Sequence, residues 1–133
     1  MSANSVERVA AAERLARSTL AGTPDASLLA PGFEYEQHFG STGGRYPGEE
    51  GLARWVQAFY EVWESASLDV DDARELDGRL ALDIRVLVTA GHTGIEVELR
   101  ATQIYEFAPD GRIHRMDSFN EASAAEEWLA RGR

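Results

Sequence analysis

Two runs in the second half of the chain, RLALDIRVLVT (79–89) and GIEVELRATQIYEF (94–107), constrain the fold more than any other feature. In the first, Leu82, Ile84, Val86 and Val88 alternate with Asp83, Arg85 and Leu87. In the second, Ile95, Val97, Leu99 and Ala101 alternate with Glu96, Glu98 and Arg100. A period of two sustained over such lengths is the pattern of strands with one face in a core. The short AGHT link predicts an antiparallel hairpin. If Gly91-His92 forms a two-residue type II′ turn, with Gly at its first position, Arg85 falls opposite Glu98 and Asp83 opposite Arg100. A slip by two residues would set like charges face to face, which favours the first register.

A second hairpin follows. Pro109-Asp110-Gly111 fits a three-residue loop, with Pro fixing φ and Gly taking the left-handed third position. Counting outward, Phe107 meets Ile113, Glu106 meets His114, Tyr105 meets Arg115, Gln103 meets Asp117, and Ala101 meets Phe119. This register puts Asp117 and Gln103 together on the core side. Asp77-Gly78 marks another turn, after the polar run LDVDDAREL (68–76), which reads as an edge strand.

Upstream, EEGLARWVQAFYEVWESA (49–66) predicts the principal helix, because Leu52, Trp55, Phe59, Val62 or Trp63, and Ala66 recur every three or four residues. Residues 5–20 form a further helix through Val6, Val9, Ala12, Ala16 and Leu20, closed by Gly22-Thr23-Pro24. Asp25 to Leu29 fits one short helical turn. Gly40 to Gly48 reads as a loop, a flexible lip. At the end, Ser123 and Glu126 have capping-box spacing, with Trp128 and Leu129 as apolar contacts. The order is helix, strand, long helix, run of antiparallel strands and last short helix. It predicts an α+β fold of one domain over residues 1–133: a cone-shaped curved antiparallel sheet with helices on its concave side, wrapped around the long helix and enclosing an apolar pocket.

FEYEQHF (33–39) lies on the first strand and bears on that pocket. Phe33, Tyr35, Gln37 and Phe39 share one face; Glu34, Glu36 and His38 share the other. A carboxamide in an aromatic wall either meets a polar ligand or is a satisfied structural amide. Gln103 carries the same two readings. Asp117 is either a carboxylate desolvated in the pocket and ready to move a proton, or a strand acid that is solvated or paired with Arg115 or Arg112. Trp55, Phe59, Trp63, Ile84, Val86, Leu99, Tyr105 and Phe119 are expected as pocket wall and core at once.

The composition excludes several classes. With 23 acidic against 13 basic residues the net charge is −10, which opposes binding to nucleic acid or an anionic membrane. There is no cysteine, hence no disulfide, thiol catalysis or Cys-ligated metal. The three histidines lack metal-ligand spacing: Glu36 and His38 share a face, but no third ligand is indicated, so no metal is expected. The N-terminus does not read as a signal peptide, and a cytoplasmic protein is the default.

Four stretches, FEYEQH, YPGEEGLARWV, GIEVELRATQIYEF and PDGRIHRMDSFNEASAAEEWL, resemble the SnoaL-like branch of the nuclear-transport-factor-2-like superfamily over roughly residues 5 to 130. That branch's relatives include polyketide cyclases, ketosteroid isomerases, limonene epoxide hydrolases and dehydratases. The resemblance implies a cone-shaped barrel, an apolar pocket and usually a homodimer, here expected to pair through the sheet's outer face around Leu87 and Ile104. The epoxide hydrolases' first-strand Tyr and Asn correspond to Tyr35 and Gln37, but their later Arg and Asp fall at Ile84 and Val86. Their last-strand acid falls at Ser118 without a gap, or at Asp117 with a one-residue deletion. The isomerases' general base falls at Gln37, an amide; His38 could replace it only on a bulged strand. The cyclases' last-strand acid points again to Asp117.

Two functions follow. One is a cofactor-independent enzyme in which Asp117, Tyr35, Gln37 and His38 act on an apolar polyketide-, steroid- or terpenoid-like molecule by acid/base proton transfer, giving cyclisation, isomerisation, dehydration or epoxide hydrolysis. The other is a non-catalytic ligand-binding or dimeric scaffold module. The polar and aromatic wall favours the first, and the incomplete catalytic patterns favour the second.

Overall fold

The computed structural model describes residues 3–132. Helix α1 (Ala3–Leu20) is followed by a 3₁₀ turn (Ala26–Leu28), β1 (Leu29–Gln37), β2 (Gly44–Pro47), α2 (Gly48–Val62), β3 (Trp63–Leu76), β4 (Arg79–Ala90), β5 (Glu96–Phe107), β6 (Ile113–Phe119) and α3 (Ala122–Ala130). The strands form one curved six-stranded sheet in the order β2-β1-β6-β5-β4-β3. It is mixed, not all antiparallel, because β1 runs parallel to β6. The α+β architecture predicted from the sequence is the one observed.

Helices α1 and α2 cover the inner face. Ala12, Leu15 and Ala16 of α1 and Leu52 and Phe59 of α2 pack with Phe33, Leu80, Leu82 and Val88 in one buried cluster. The α1 face turns relative to the expected one: Leu15 is fully buried, whereas Val6 is exposed. Gly51 lets the start of α2 lie against β2, since a Cβ there would sit 2.3 Å from the Tyr46 carbonyl carbon. That packing brings order to the supposed loop, whose second half, Gly44–Pro47, pairs with β1.

Three local expectations are corrected. Helix α2 ends at Val62, not Ala66: Trp63 is extended and pairs with Ala90, because β4 is long enough to offer partners there. The terminal helix starts at Ala122, its cap position is Glu121, and no side chain caps it; Ser123 lies inside. It also lies on the outer face, where Ala125, Trp128 and Leu129 pack with Ala81, Ile104 and Phe119. Ile104, only 1% exposed beneath it, is therefore unavailable to a partner chain.

The β3–β4 turn is as expected: Asp77 and Gly78 both take positive φ and Leu76 pairs with Arg79. The β4–β5 register differs. The loop has four residues, Gly91 to Gly94, with Ala90 N–H donating to Ile95 O and Gly94 taking the positive φ that Gly91 was expected to use. Arg85 therefore stands opposite Arg100, and Asp83 opposite Thr102. Asp71 on β3 relieves the repulsion by accepting from Arg85 Nε at 2.8 Å, while Glu98 pairs with Arg100 at 3.1 Å. A slip of two leaves every side chain on its predicted face. No helix among the described residues is long and apolar enough to cross a membrane.

Candidate functional site

A cavity of about 460 Å³ opens between α1, α2 and the inner face of the sheet. Tyr35 and Gln37 of β1 and Trp55 and Phe59 of α2 line it, as do Trp63, Ile84, Val86, Leu99 and Gln103 from β3, β4 and β5. All nine were singled out from the sequence. Thr19, Thr42, Met116 and Asn120 also line it and were not, whereas Ser118, the gapless alternative to Asp117 on the last strand, lines it too. Thr19 was legible in principle, because it lies one helical turn from Leu15 and Ala16.

Gln37 is 6% exposed and fully engaged. Its Oε1 accepts from the Tyr35 hydroxyl at 3.0 Å and from Trp55 Nε1 at 2.8 Å. Its Nε2 donates to Phe39 O at 2.9 Å and Thr42 Oγ1 at 2.6 Å. An amide has two donors and two acceptor lone pairs, and here all four are used. Of the two readings of this residue, the structure selects the satisfied structural amide. It ties β1, α2 and the lip together.

Gln103 differs. The hydroxyl of Tyr105, a fully buried side chain, donates to Gln103 Oε1 at 2.6 Å. Reversing the amide would leave that buried phenolic proton without an acceptor, so the orientation is fixed. Tyr105 is thus a support behind the wall and not part of it. Burial raises the Tyr105 pKa well above its ordinary value. Burial also raises that of Tyr35, against which the neighbouring Ser118 hydroxyl acts. Both phenols stay protonated and neutral.

Asp117 does not enter the cavity. The predicted turn is present, with Gly111 at positive φ and Ala108 N–H donating to Arg112 O at 2.8 Å. Beyond Phe107–Ile113, however, His114 is bulged out of the ladder, so Glu106 meets Arg115 and not His114, and Gln103 meets Ser118. The extra residue keeps Ile113 in the core and sends Arg115 and Asp117 to the outer face, away from an apolar wall that could not solvate them.

There Asp117 is 1% exposed. Arg115 donates to both of its oxygens, Nε to Oδ2 and Nη2 to Oδ1, each at 2.8 Å. Arg115 Nη2 also donates to Glu36 Oε1 at 2.9 Å, and His38 Nε2 lies 2.9 Å from Asp117 Oδ1. The Asp117 carboxylate is the main cause of a raised Arg115 pKa. His38 stacks on Phe119 at 4.4 Å between centroids, with Trp128 of α3 beside both. His38, Asp117 and Phe119 therefore lie behind the pocket wall, held by β1, β6 and α3. Glu36, His38 and Asp117 have ligand atoms within 4.8 Å of one another, so a third ligand does exist. Arg115 already occupies Glu36 and Asp117, and a metal ion would have to displace its guanidinium.

Comparison with known proteins agrees with this architecture. A family model described as a SnoaL-like domain matches residues 8–116. No curated protein matches the sequence. Among solved structures, a protein from Jannaschia sp. CCS1 proposed to be a SnoaL-like polyketide cyclase superposes with a TM-score of 0.74 at 15% identity, covering 95% of this chain and 93% of that one. TerC, co-crystallised with polyporic acid, gives 0.72 at 18% identity over 91% and 96%. The epoxide hydrolase/cyclase-like enzyme SalBIII, described for pyran ring formation in polyether salinomycin, gives 0.67 at 12% identity over 89% and 93%. At such identities the likeness establishes the fold alone.

Proposed function

The chain belongs to the SnoaL-like family, and from that premise we propose that its cavity binds a neutral, largely apolar small molecule through a carbonyl or similar hydrogen-bond acceptor. The supporting observation is the neutrality of the wall. Its two lining residues of fixed charge, Glu98 and Arg100, are exposed and pair with each other at 3.1 Å. The rest of the lining is aromatic and aliphatic side chains with uncharged polar ones, among them Gln103, Ser118 and Thr19. A buried carboxylate or ammonium would meet no countercharge and lose its hydration. The Gln103 amide offers its donor side, which suits an acceptor on the ligand. The relatives described for polyketide cyclisation and pyran ring formation support a polyketide-like class within this range.

A second reading is catalytic and uses the same groups. Gln103 and Ser118 face each other across β5 and β6 on one wall, and neutral donors there would stabilise an oxygen gaining negative charge, as in enolisation before cyclisation or isomerisation. Asp117 carries no proton in this scheme. The chain is further proposed to be a homodimer, with exposed Leu87 and not Ile104 on its outer face; light scattering reporting a monomer at micromolar concentration would reject it.

Trp55 and Trp63 line the cavity and supply the test. Polycyclic ketones should quench their fluorescence saturably, and each matched carboxylic acid should bind at least about tenfold more weakly at neutral pH. Tighter binding by the acids, or no binding by any ketone, would overturn the reading.

A further inference from the structure

Resting on that reading of the cavity, we infer that Thr19 is a second anchor, recognising a hydroxyl or carbonyl at the end of the ligand remote from Gln103. Thr19 lines the cavity and is 4% exposed. Its Oγ1 is the one buried side-chain oxygen or nitrogen, among the described residues, that finds no hydrogen-bond partner. The neighbouring Ser18 shows the usual alternative, donating back to Leu15 O at 3.2 Å. An orphaned hydroxyl inside an apolar wall costs stability, and an apolar side chain of the same shape would not. The cost is recovered when a ligand oxygen supplies the partner. A helical threonine has two accessible χ1 wells, so the hydroxyl can turn across the wall to meet it.

The two anchors are well separated. Thr19 lies in the last turn of α1, which is fixed to β3 by Arg17 Nη1 donating to Leu68 O at 2.7 Å. Leu68 pairs with Val86, and Val86 with Leu99. Gln103 is four residues further along β5, roughly 13 Å at the rise of a strand. The ligand is then a ketone with a second oxygen near its opposite end, long enough to run along the strands. Phe59, Leu68, Ile84 and Val86, which share the cavity with both anchors, supply the apolar contact between them.

The test uses the intact chain and its Thr19→Val variant, which keeps the β-branched shape. Two probe pairs differ by one far-end hydroxyl: testosterone against androst-4-en-3-one, and 4-(4-hydroxycyclohexyl)cyclohexanone against 4-cyclohexylcyclohexanone. In the wild type, the hydroxylated member of at least one pair should bind about five- to tenfold more tightly. Thr19→Val should erase that difference while leaving the deoxy ketone within twofold. Without ligand, the variant should melt about 2–4 °C higher, because a buried orphan has been removed. Equal weakening of both members, no change in their ratio, or a lower melting temperature would overturn the role of Thr19 while leaving the cavity reading intact. Failure of every ketone to bind the wild type would instead overturn that reading, and this inference with it.

Discussion

Gln37 shows how one amide can hold three elements in place. Its four hydrogen bonds run to Tyr35 on its own strand, to Trp55 on α2, and to Phe39 and Thr42 in the lip. Thr42 in turn accepts from the Tyr46 hydroxyl through its carbonyl at 2.7 Å, which carries the connection to β2. Gln37→Leu would remove the partner of a buried phenol and an indole N–H together. Each orphan costs about 1–3 kcal/mol, so a loss of about 2–4 kcal/mol is expected in urea denaturation. Gln37→Glu separates the two halves of the network. It keeps the acceptor for Tyr35 and Trp55 but has no proton for Phe39 O or Thr42 Oγ1. It should therefore loosen the lip, visible as faster amide exchange at residues 40–43, with a smaller loss of global stability. Equal protection there in both proteins would contradict the assignment. The sequence made Gln37 conspicuous, because a carboxamide breaks an aromatic face. It could not show the satisfaction of that amide, since Trp55 arrives from another element and Thr42 from a stretch with no periodicity.

At the scale of elements, β6 is set by a tight turn and a bulge that act in sequence. The Pro-Asp-Gly turn is written in local chemistry and was legible. The bulge is not local: it answers to Glu34 and Glu36 on β1, whose parallel pairing with β6 puts Glu36 beside Asp117. The β4–β5 hairpin repeats the lesson, because Asp71 on a third strand accepts Arg85 and makes a register of facing arginines tolerable. Two-strand arguments from charge miss such a partner, whereas face assignments survive because they depend only on parity. Asp117 consequently changes role, from a proton carrier in the pocket to the buried acceptor of an ion cluster. Arg115→Met would strand a carboxylate that is 1% exposed and should cost about 3–5 kcal/mol. Asp117→Asn should lower stability less, because Glu36 still holds Arg115, and should leave ketone affinity within about twofold. A loss of affinity beyond tenfold in Asp117→Asn, with its melting temperature unchanged, would restore the carboxylate to the site.

The whole molecule joins a neutral interior to an ionic exterior, and pH separates the two. Tyr35 and Tyr105 have pKa values raised by burial. The sign follows from proton binding. Above about pH 10 the unfolded phenols lose their protons while the folded ones keep them, so the folded state binds more protons and stability falls as pH rises. The contribution is full below the unfolded value of about 10 and disappears on the alkaline side. Tyr105→Phe should therefore flatten the decline of melting temperature between about pH 9.5 and 11. The interior predicts the opposite for ligand binding. The amides and hydroxyls lining the cavity carry no charge to gain or lose near neutrality. Ketone affinity should stay constant from about pH 5.5 to 8.5, over a range in which a histidine would change charge. His38 lies behind the wall, outside the cavity, with its Nε2 on Asp117 and its ring on Phe119. A fluorescence titration at each pH, beside a melting curve at the same pH, distinguishes these outcomes. A sigmoidal step in affinity within that range, abolished by His38→Gln, would show that the outer cluster reaches the ligand after all and that the neutral wall is not the whole site.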